Sequence, residues 1–127
     1  MTTTIGRPPL LLIASTADAE RLRGALTLAC AEAALGGGVS LFLLLDAVLL
    51  LKPPVEAPHD EAHAACGLPR MCALIDDALD LGVQISVCQS GLTLARMEAT
   101  ELDPRISASG PVAVLSETCA ETRVLLV

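Results

Sequence analysis

Short apolar runs separated by helix-forming stretches constrain the fold of this chain more than any other feature. Residues 10–14 are continuously apolar, and residues 39–45 are apolar apart from Ser40. Runs of this kind are typical of strands in a parallel sheet that is covered on both faces. Residues 83–87 alternate in polarity and are rich in β-branched side chains, which favours a third strand.

Helical periodicity fills the intervals between these strands. Residues 18–35 carry apolar side chains three to four positions apart and end at a run of glycines, and residues 69–81 carry a second such stripe. Residues 111–119 predict a last helix and residues 124–127 a last strand. The alternation predicts a single domain, residues 1–127, in which three α/β/α layers enclose a mostly parallel, five-stranded sheet.

Residues 52–67 interrupt this alternation with proline, alanine and charge, and they predict a mobile loop or lid. On a helix, His59, His63 and Cys66 would share one face and offer nitrogen and sulfur ligands to a transition metal. Pro58 and the acidic, loop-like setting favour solvated histidines instead. We therefore assign no metal site, and the possibility of metal binding by these three residues stays open.

Composition argues against several classes of function. The net charge of −7 would repel a phosphate backbone and an anionic membrane surface. Phe42 is the single aromatic residue, so neither base stacking nor an aromatic sandwich around a flavin is available. Hydrophobic residues make up 53% of the 127 positions, more than a small core needs, which indicates burial against other subunits.

The sequence also bears on localisation. Residues 1–9 lack the basic start, apolar centre and cleavage site of an export signal. The longest apolar stretch, residues 39–51, is interrupted by Asp46 and is shorter than the about 20 residues that a membrane span needs. We expect a cytoplasmic protein.

Five cysteines are present, an odd number that argues against a disulfide framework. Cys88 differs from the others because it directly follows the third strand, and reactive groups collect at the carboxyl ends of parallel strands. A helix begins at once, and its free N–H groups and dipole favour an anion such as a thiolate. Gln89, Ser90 and Gly91 then form a small substrate-binding turn. The alternative is a cysteine that only fills the end of the strand.

The segment 82–92, which contains Cys88, resembles the third-strand cysteine segment of DsrE/DsrF-like proteins. Further similar segments extend the resemblance over nearly the whole chain: residues 39–52, 102–105, 110–112 and 124–127. The resemblance implies a cytoplasmic sulfur-relay protein that assembles into trimers or hexamers and carries a persulfide on Cys88.

The leading hypothesis is an intracellular sulfur carrier or sulfurtransferase. The Cys88 thiolate would attack a donor persulfide, hold the outer sulfur and pass it to an acceptor thiol. Its partners would be sulfur donor and acceptor proteins or small thiols, and the chemistry requires no metal or organic cofactor. Two alternatives stay open: an oligomeric scaffold or ligand-binding module without catalysis, and a thiol redox sensor with Cys66 as the resolving thiol.

Overall fold

The structure of the protein, a computed structural model, describes residues 6–127. Residues 1–5, part of the segment in which no export signal is found, lie outside the described residues. Within residues 6–127, the strands β1 to β5 span Leu10–Ala14, Val39–Leu43, Gln84–Cys88, Ser107–Ser109 and Arg123–Leu126. The helices α1 to α5 span Ala19–Ala34, Asp60–Ala65, Met71–Asp80, Gln89–Ala95 and Pro111–Ser116, and two 3₁₀ helices span Leu45–Leu51 and Ala99–Glu101.

The described strands form one parallel sheet in the order β4-β3-β2-β1-β5. Crossovers between parallel strands are right-handed. The steps from β1 through β2 and β3 to β4 all run in one direction, so α1, α3 and α4 lie on the same side, the first face. The last step returns across the whole sheet from β4 to β5 and places α5 on the second face. The predicted three-layer fold is confirmed, with an entirely parallel sheet.

The first face carries the larger core. Strand side chains that point to this face are almost fully buried under α1 and α3: Leu12, Leu41, Leu43, Ile85 and Val87. The helices contribute Leu22 and Leu26 from α1 and Met71 from α3, each at most 1% exposed. Burial of one such side chain contributes about 1.5–3 kcal/mol. This packing holds the carboxyl ends of β1, β2 and β3 in fixed relative positions.

Two predicted elements are shorter than the sequence suggests. The strand predicted over residues 39–45 ends at Leu43, because Leu45 adopts a left-handed backbone conformation with φ of 54° and starts the 3₁₀ helix. The helix predicted over residues 111–119 ends at Ser116, where the chain enters a turn in which the backbone N–H of Cys119 donates to the hydroxyl of Thr122 at 2.9 Å. Among the described residues, no helix has the length and apolar character that crossing a bilayer requires.

The segment predicted as a mobile loop, residues 52–67, contains the helix α2 and is anchored by Asp60. The buried Asp60 carboxylate accepts hydrogen bonds from Arg23 Nη2 at 2.8 Å and from the backbone N–H groups of Met71 at 2.9 Å and Ala57 at 3.0 Å. Burial raises the pKa of Asp60, but these hydrogen bonds outweigh it and lower the pKa below its usual value. The prediction of a continuous loop is wrong at α2, while the mobility of the segment stays a prediction.

Glu32 of α1 fastens the edge strand β5 and the N-terminal segment to the first-face helices. Its buried carboxylate lies 2.5 Å from Arg7 Nε and 3.1 Å from Arg123 Nη2. Arg123 also donates to the carbonyl oxygen of Pro8 at 2.6 Å. The hydrogen bonds from Arg7 and then from Arg123 lower the pKa of Glu32 from its usual 4.5 to about 2.

We expect Glu32→Gln to flatten the loss of stability in acid. Because folding lowers the pKa of Glu32, its stabilising effect is complete above the usual value of 4.5 and is lost as the pH falls through about 2. Urea unfolding midpoints measured from about pH 5 down to about pH 2 should therefore fall less steeply in the variant. The exposed Glu121 provides a control, since Glu121→Gln should follow the parent curve. If the urea midpoints of Glu32→Gln and the parent fall equally steeply with pH, the lowered pKa of Glu32 would be contradicted.

Candidate functional site

Cys88 is the last residue of β3 and directly precedes α4, as the sequence predicts. Its neighbour in register on β4 is Ser109. The side chain is 5% exposed and packs with Leu11 and Phe42 in a small apolar cluster on the second face. The sheet thus fixes the backbone of Cys88 and directs its thiol away from the larger core.

Cys88 is the N-cap residue of α4, and the stabilisation of its thiolate by that helix stays a prediction. Within residues 6–127, the Cys88 side chain makes no capping hydrogen bond to α4, which has seven residues. The reason is the alternation of side chains along β3, which turns the Cys88 thiol toward Leu11 and Phe42. The buried cluster must open before a reagent can reach the thiol.

The helix α5 covers the Cys88 cluster through one side chain. Val114 is half-buried and packs against the cluster together with Ile13 and Leu44. The other five residues of α5 are exposed. Among them, Val112 is 84% exposed, so α5 contacts the rest of the domain along a narrow line. The cover over Cys88 is therefore thin compared with the first-face core.

A groove of about 380 Å³ lies on the second face, within the size range of small-molecule sites. Neutral polar side chains from β2, β3 and β4 line it: Ser40, Gln84, Ser86, Ser107 and Ser109. Faces of parallel sheets are normally apolar, so this polar floor is unusual. Leu11 and Val114 line the groove and also pack in the Cys88 cluster. The groove therefore reaches the apolar cluster that contains the Cys88 thiol.

The turn after Cys88 contains two exposed residues and one buried residue. Gln89 and Ser90 are exposed at the start of α4, as a substrate-binding turn requires. Gly91 is buried, and a Cβ atom there would lie 2.8 Å from Val48 Cγ1 and 3.1 Å from the carbonyl oxygen of Leu45. Gly91 therefore lets α4 approach the 3₁₀ helix Leu45–Leu51, and its place in a substrate-binding turn stays a prediction.

The structure does not bring Cys66 to Cys88. Cys66 is exposed at the end of α2, which the Asp60–Arg23 ion pair holds to the first-face helix α1. Cys88 packs on the second face, so the two thiols belong to different sides of the sheet. Within one chain, this separation argues against the predicted resolving role of Cys66.

The other predicted candidates have ordinary environments. Within residues 6–127, no group of three potential metal ligands is found, and His63 Nε2 instead lies 3.5 Å from Glu20 Oε2. Cys72 and Cys119 are exposed, whereas Cys30 is half-buried on α1. Burial and, secondly, the Asp77 carboxylate raise the pKa of Cys30.

The sequence interpretation missed the polar floor of the groove, although a signal for it exists. Ser40 interrupts an otherwise apolar strand, and Gln84 and Ser86 alternate with Ile85 and Val87. In a buried parallel strand, period-two polar positions indicate that one face is not covered by an apolar layer.

Comparison with known proteins establishes the fold. No protein-family model and no curated protein matches this chain. Among solved structures, the ychN protein from E. coli matches with a TM-score of 0.76 at 17% identity, over 94% of this chain and 99% of its own. MTH1491 from Methanobacterium thermoautotrophicum matches at 0.71 and 10% identity, over 94% and 99%. BT1422 from Bacteroides thetaiotaomicron matches with a TM-score of 0.70 at 12% identity, over 98% of this chain and 100% of its own. MTH1491 and BT1422 are both described as proteins of unknown function.

We expect Gly91→Ala to destabilise the fold. The added Cβ would overlap Val48 and crowd the backbone of Leu45, and overpacking of this kind costs about 1–3 kcal/mol. Gly24 in α1 is the matched control, because a Cβ there meets no atom within 4 Å among the described residues. Gly24→Ala should stabilise the protein by about 0.5–1 kcal/mol through helix propensity. Chemical denaturation measures both, and equal effects of the same sign would refute the packing role of Gly91.

Proposed function

We propose that this chain is a sulfur carrier or sulfurtransferase of the DsrE/DsrF-like kind that holds a persulfide on Cys88. The observation that supports the proposal is the placement of the thiol. Cys88 stands at the carboxyl end of the interior strand β3, in a cluster with Leu11 against which Val114 of α5 packs, and Leu11 and Val114 also line the adjacent groove. Carboxyl ends of parallel strands are the usual position of reactive groups in α/β folds.

The transfer consists of two balanced displacements. The Cys88 thiolate attacks the outer sulfur of a donor persulfide, a new S–S bond forms, and the donor leaves as a thiolate. An acceptor thiolate then attacks the outer sulfur on Cys88, which regenerates the Cys88 thiolate. The sulfur is passed on at an unchanged oxidation level, so neither step consumes an external oxidant or reductant.

The buried setting of Cys88 suits the storage of sulfur between these displacements. A terminal sulfur held within an apolar cluster is kept from stray thiols, because attack requires access of a second thiolate. The carrier therefore reacts when the site is open and protects its cargo when the site is closed.

Sulfur donor and acceptor proteins or small thiols are the partners in this proposal, and the protein acts in a reducing, intracellular compartment. The five cysteines within the described residues are all free thiols, which is consistent with such a compartment. The chemistry is carried by sulfur alone, so no cofactor enters it.

We expect Cys88→Ser to abolish persulfide loading without unfolding the domain. Serine is nearly isosteric, so the loss of stability should stay on the order of 1 kcal/mol, whereas its hydroxyl cannot hold sulfane sulfur at neutral pH. The protein is incubated with a persulfide donor, and intact-mass and peptide mass spectrometry locate the added sulfur atom. Cys66→Ser and Cys72→Ser, at exposed thiols, are the controls and should load like the parent. Loading that survives Cys88→Ser but is lost in either control would place the reactive thiol elsewhere.

A second candidate function is an oligomeric scaffold or ligand-binding module in which Cys88 is a packing residue. Large apolar side chains exposed on β5 favour association, with Leu126 at 81% exposure. A redox sensor that pairs Cys66 with Cys88 is disfavoured, since the two thiols lie on different sides of the sheet.

We expect a homotrimer or hexamer in solution, whichever of the two functions applies. Covering the exposed apolar side chains of β5 supplies the driving force. Multi-angle light scattering at micromolar concentration gives the mass directly, and a monomer would contradict the expectation. An oligomer that takes up no sulfur on Cys88 would favour the scaffold over the carrier.

A further inference from the structure

The helix α5 is joined to the rest of the second face by little more than one side chain. Val114 packs on the Cys88 cluster, and the other five residues of α5 are exposed. Segments with few buried contacts are those that open locally at low free-energy cost. The helix that packs on the Cys88 cluster is therefore a segment with few buried contacts.

Hydrogen bonding leads to the same conclusion. In the described structure, the hydrogen bonds of residues 111–122 stay within residues 110–122. The hydroxyls of Ser116 and Thr118 donate to the carbonyl oxygens of Ala113 at 2.7 Å and Leu115 at 2.6 Å. The turn after the helix closes on itself in the same way. The segment can therefore separate from the sheet as a unit, since its own hydrogen bonds move with it.

The groove determines what reaches the thiol when the segment separates. Its floor offers hydroxyl and amide groups from β2, β3 and β4, which bind neutral polar molecules. Glu117, just after α5, adds a negative charge, and within the described chain the groove lining includes no lysine, arginine or histidine. Because the Glu117 carboxylate repels anions that enter the groove, the path favours a small uncharged compound.

We propose that α5 is a gate over Cys88, closed by Val114, and that the serine-lined groove beneath it is the path by which small uncharged sulfur compounds reach the thiol. The gate rests on geometry alone, whereas the sulfur cargo rests on the proposed function. Val114 sets how often Cys88 becomes reachable, and Glu117 sets the charge of what reaches it.

Alkylation of the folded parent and two valine variants tests the gate. Iodoacetamide reacts when the Cys88 thiolate displaces iodide, and peptide mass spectrometry follows the rate at each cysteine. Val114→Ala should speed Cys88 labelling about three- to tenfold, the effect of removing two half-buried methyl groups. Val112→Ala is the matched control on the same helix and should leave the rate unchanged, because Val112 is 84% exposed.

Two reference thiols in the same molecule make the result unambiguous. Cys66 is exposed and should label fast in every variant, whereas the half-buried Cys30 on the first face reports any change in exposure away from the second face. A rise at Cys88 with Cys30 unchanged supports the gate. The gate is overturned if Val114→Ala leaves Cys88 unchanged, raises Cys30 in parallel, or acts no more strongly than Val112→Ala.

A second pair of reagents tests the path. Iodoacetate has nearly the size of iodoacetamide but carries a negative charge. Glu117→Gln should raise the rate of Cys88 with iodoacetate at least about twofold at low salt and leave its rate with iodoacetamide unchanged. Glu121→Gln should change neither rate. An unchanged iodoacetate rate in Glu117→Gln would remove Glu117 from the path.

These measurements use no sulfur donor, so they separate the gate from the sulfur-carrier proposal. A gate that behaves as expected in a protein that takes up no sulfur on Cys88 would stand while the carrier function fell. If Cys88 of the parent takes up sulfur but is alkylated as fast as Cys66, the carrier function would stand while the gate fell.

Discussion

The direction of the chain's crossovers governs the rest of this molecule. Three successive right-handed steps place α1, α3 and α4 on the first face, and the single return step leaves the second face to a six-residue helix. One face is therefore packed like the interior of a large domain, and the other has a polar groove and a thin cover. Because side chains alternate along a strand, β3 contributes Ile85 and Val87 to the packed face and Ser86 and Cys88 to the open one.

The sequence was sufficient to predict the fold class, the element order and the position of Cys88 at a strand end. Apolar runs and helical stripes carry that information locally, and parallel pairing follows from their alternation. It was not sufficient to predict what surrounds the Cys88 thiol, because Leu11, Phe42 and Val114 are distant in sequence and come together with it only in the folded chain. The packing role of Gly91 was missed for a similar reason, since Val48 is distant in sequence and meets it only in the folded chain.

The prediction for residues 52–67 shows where composition misleads. Proline and charge suggested a loop, yet one of those charges, Asp60, is the anchor that joins α2 to Arg23 and to the start of α3. Residue type alone does not distinguish a buried carboxylate that accepts three hydrogen bonds from a solvated carboxylate. Glu32 is a second case: it looks like an exposed position on α1, but its two arginine partners come from opposite ends of the chain.

The polar floor of the second face also has a thermodynamic consequence. This floor takes the place of apolar surface that unfolding would otherwise expose, and apolar exposure raises the heat capacity whereas polar exposure lowers it. The heat-capacity increment per residue should therefore fall below that of a parallel-sheet domain with apolar layers on both faces. A smaller heat-capacity increment flattens the curve of unfolding free energy against temperature, so this domain should lose little stability on cooling.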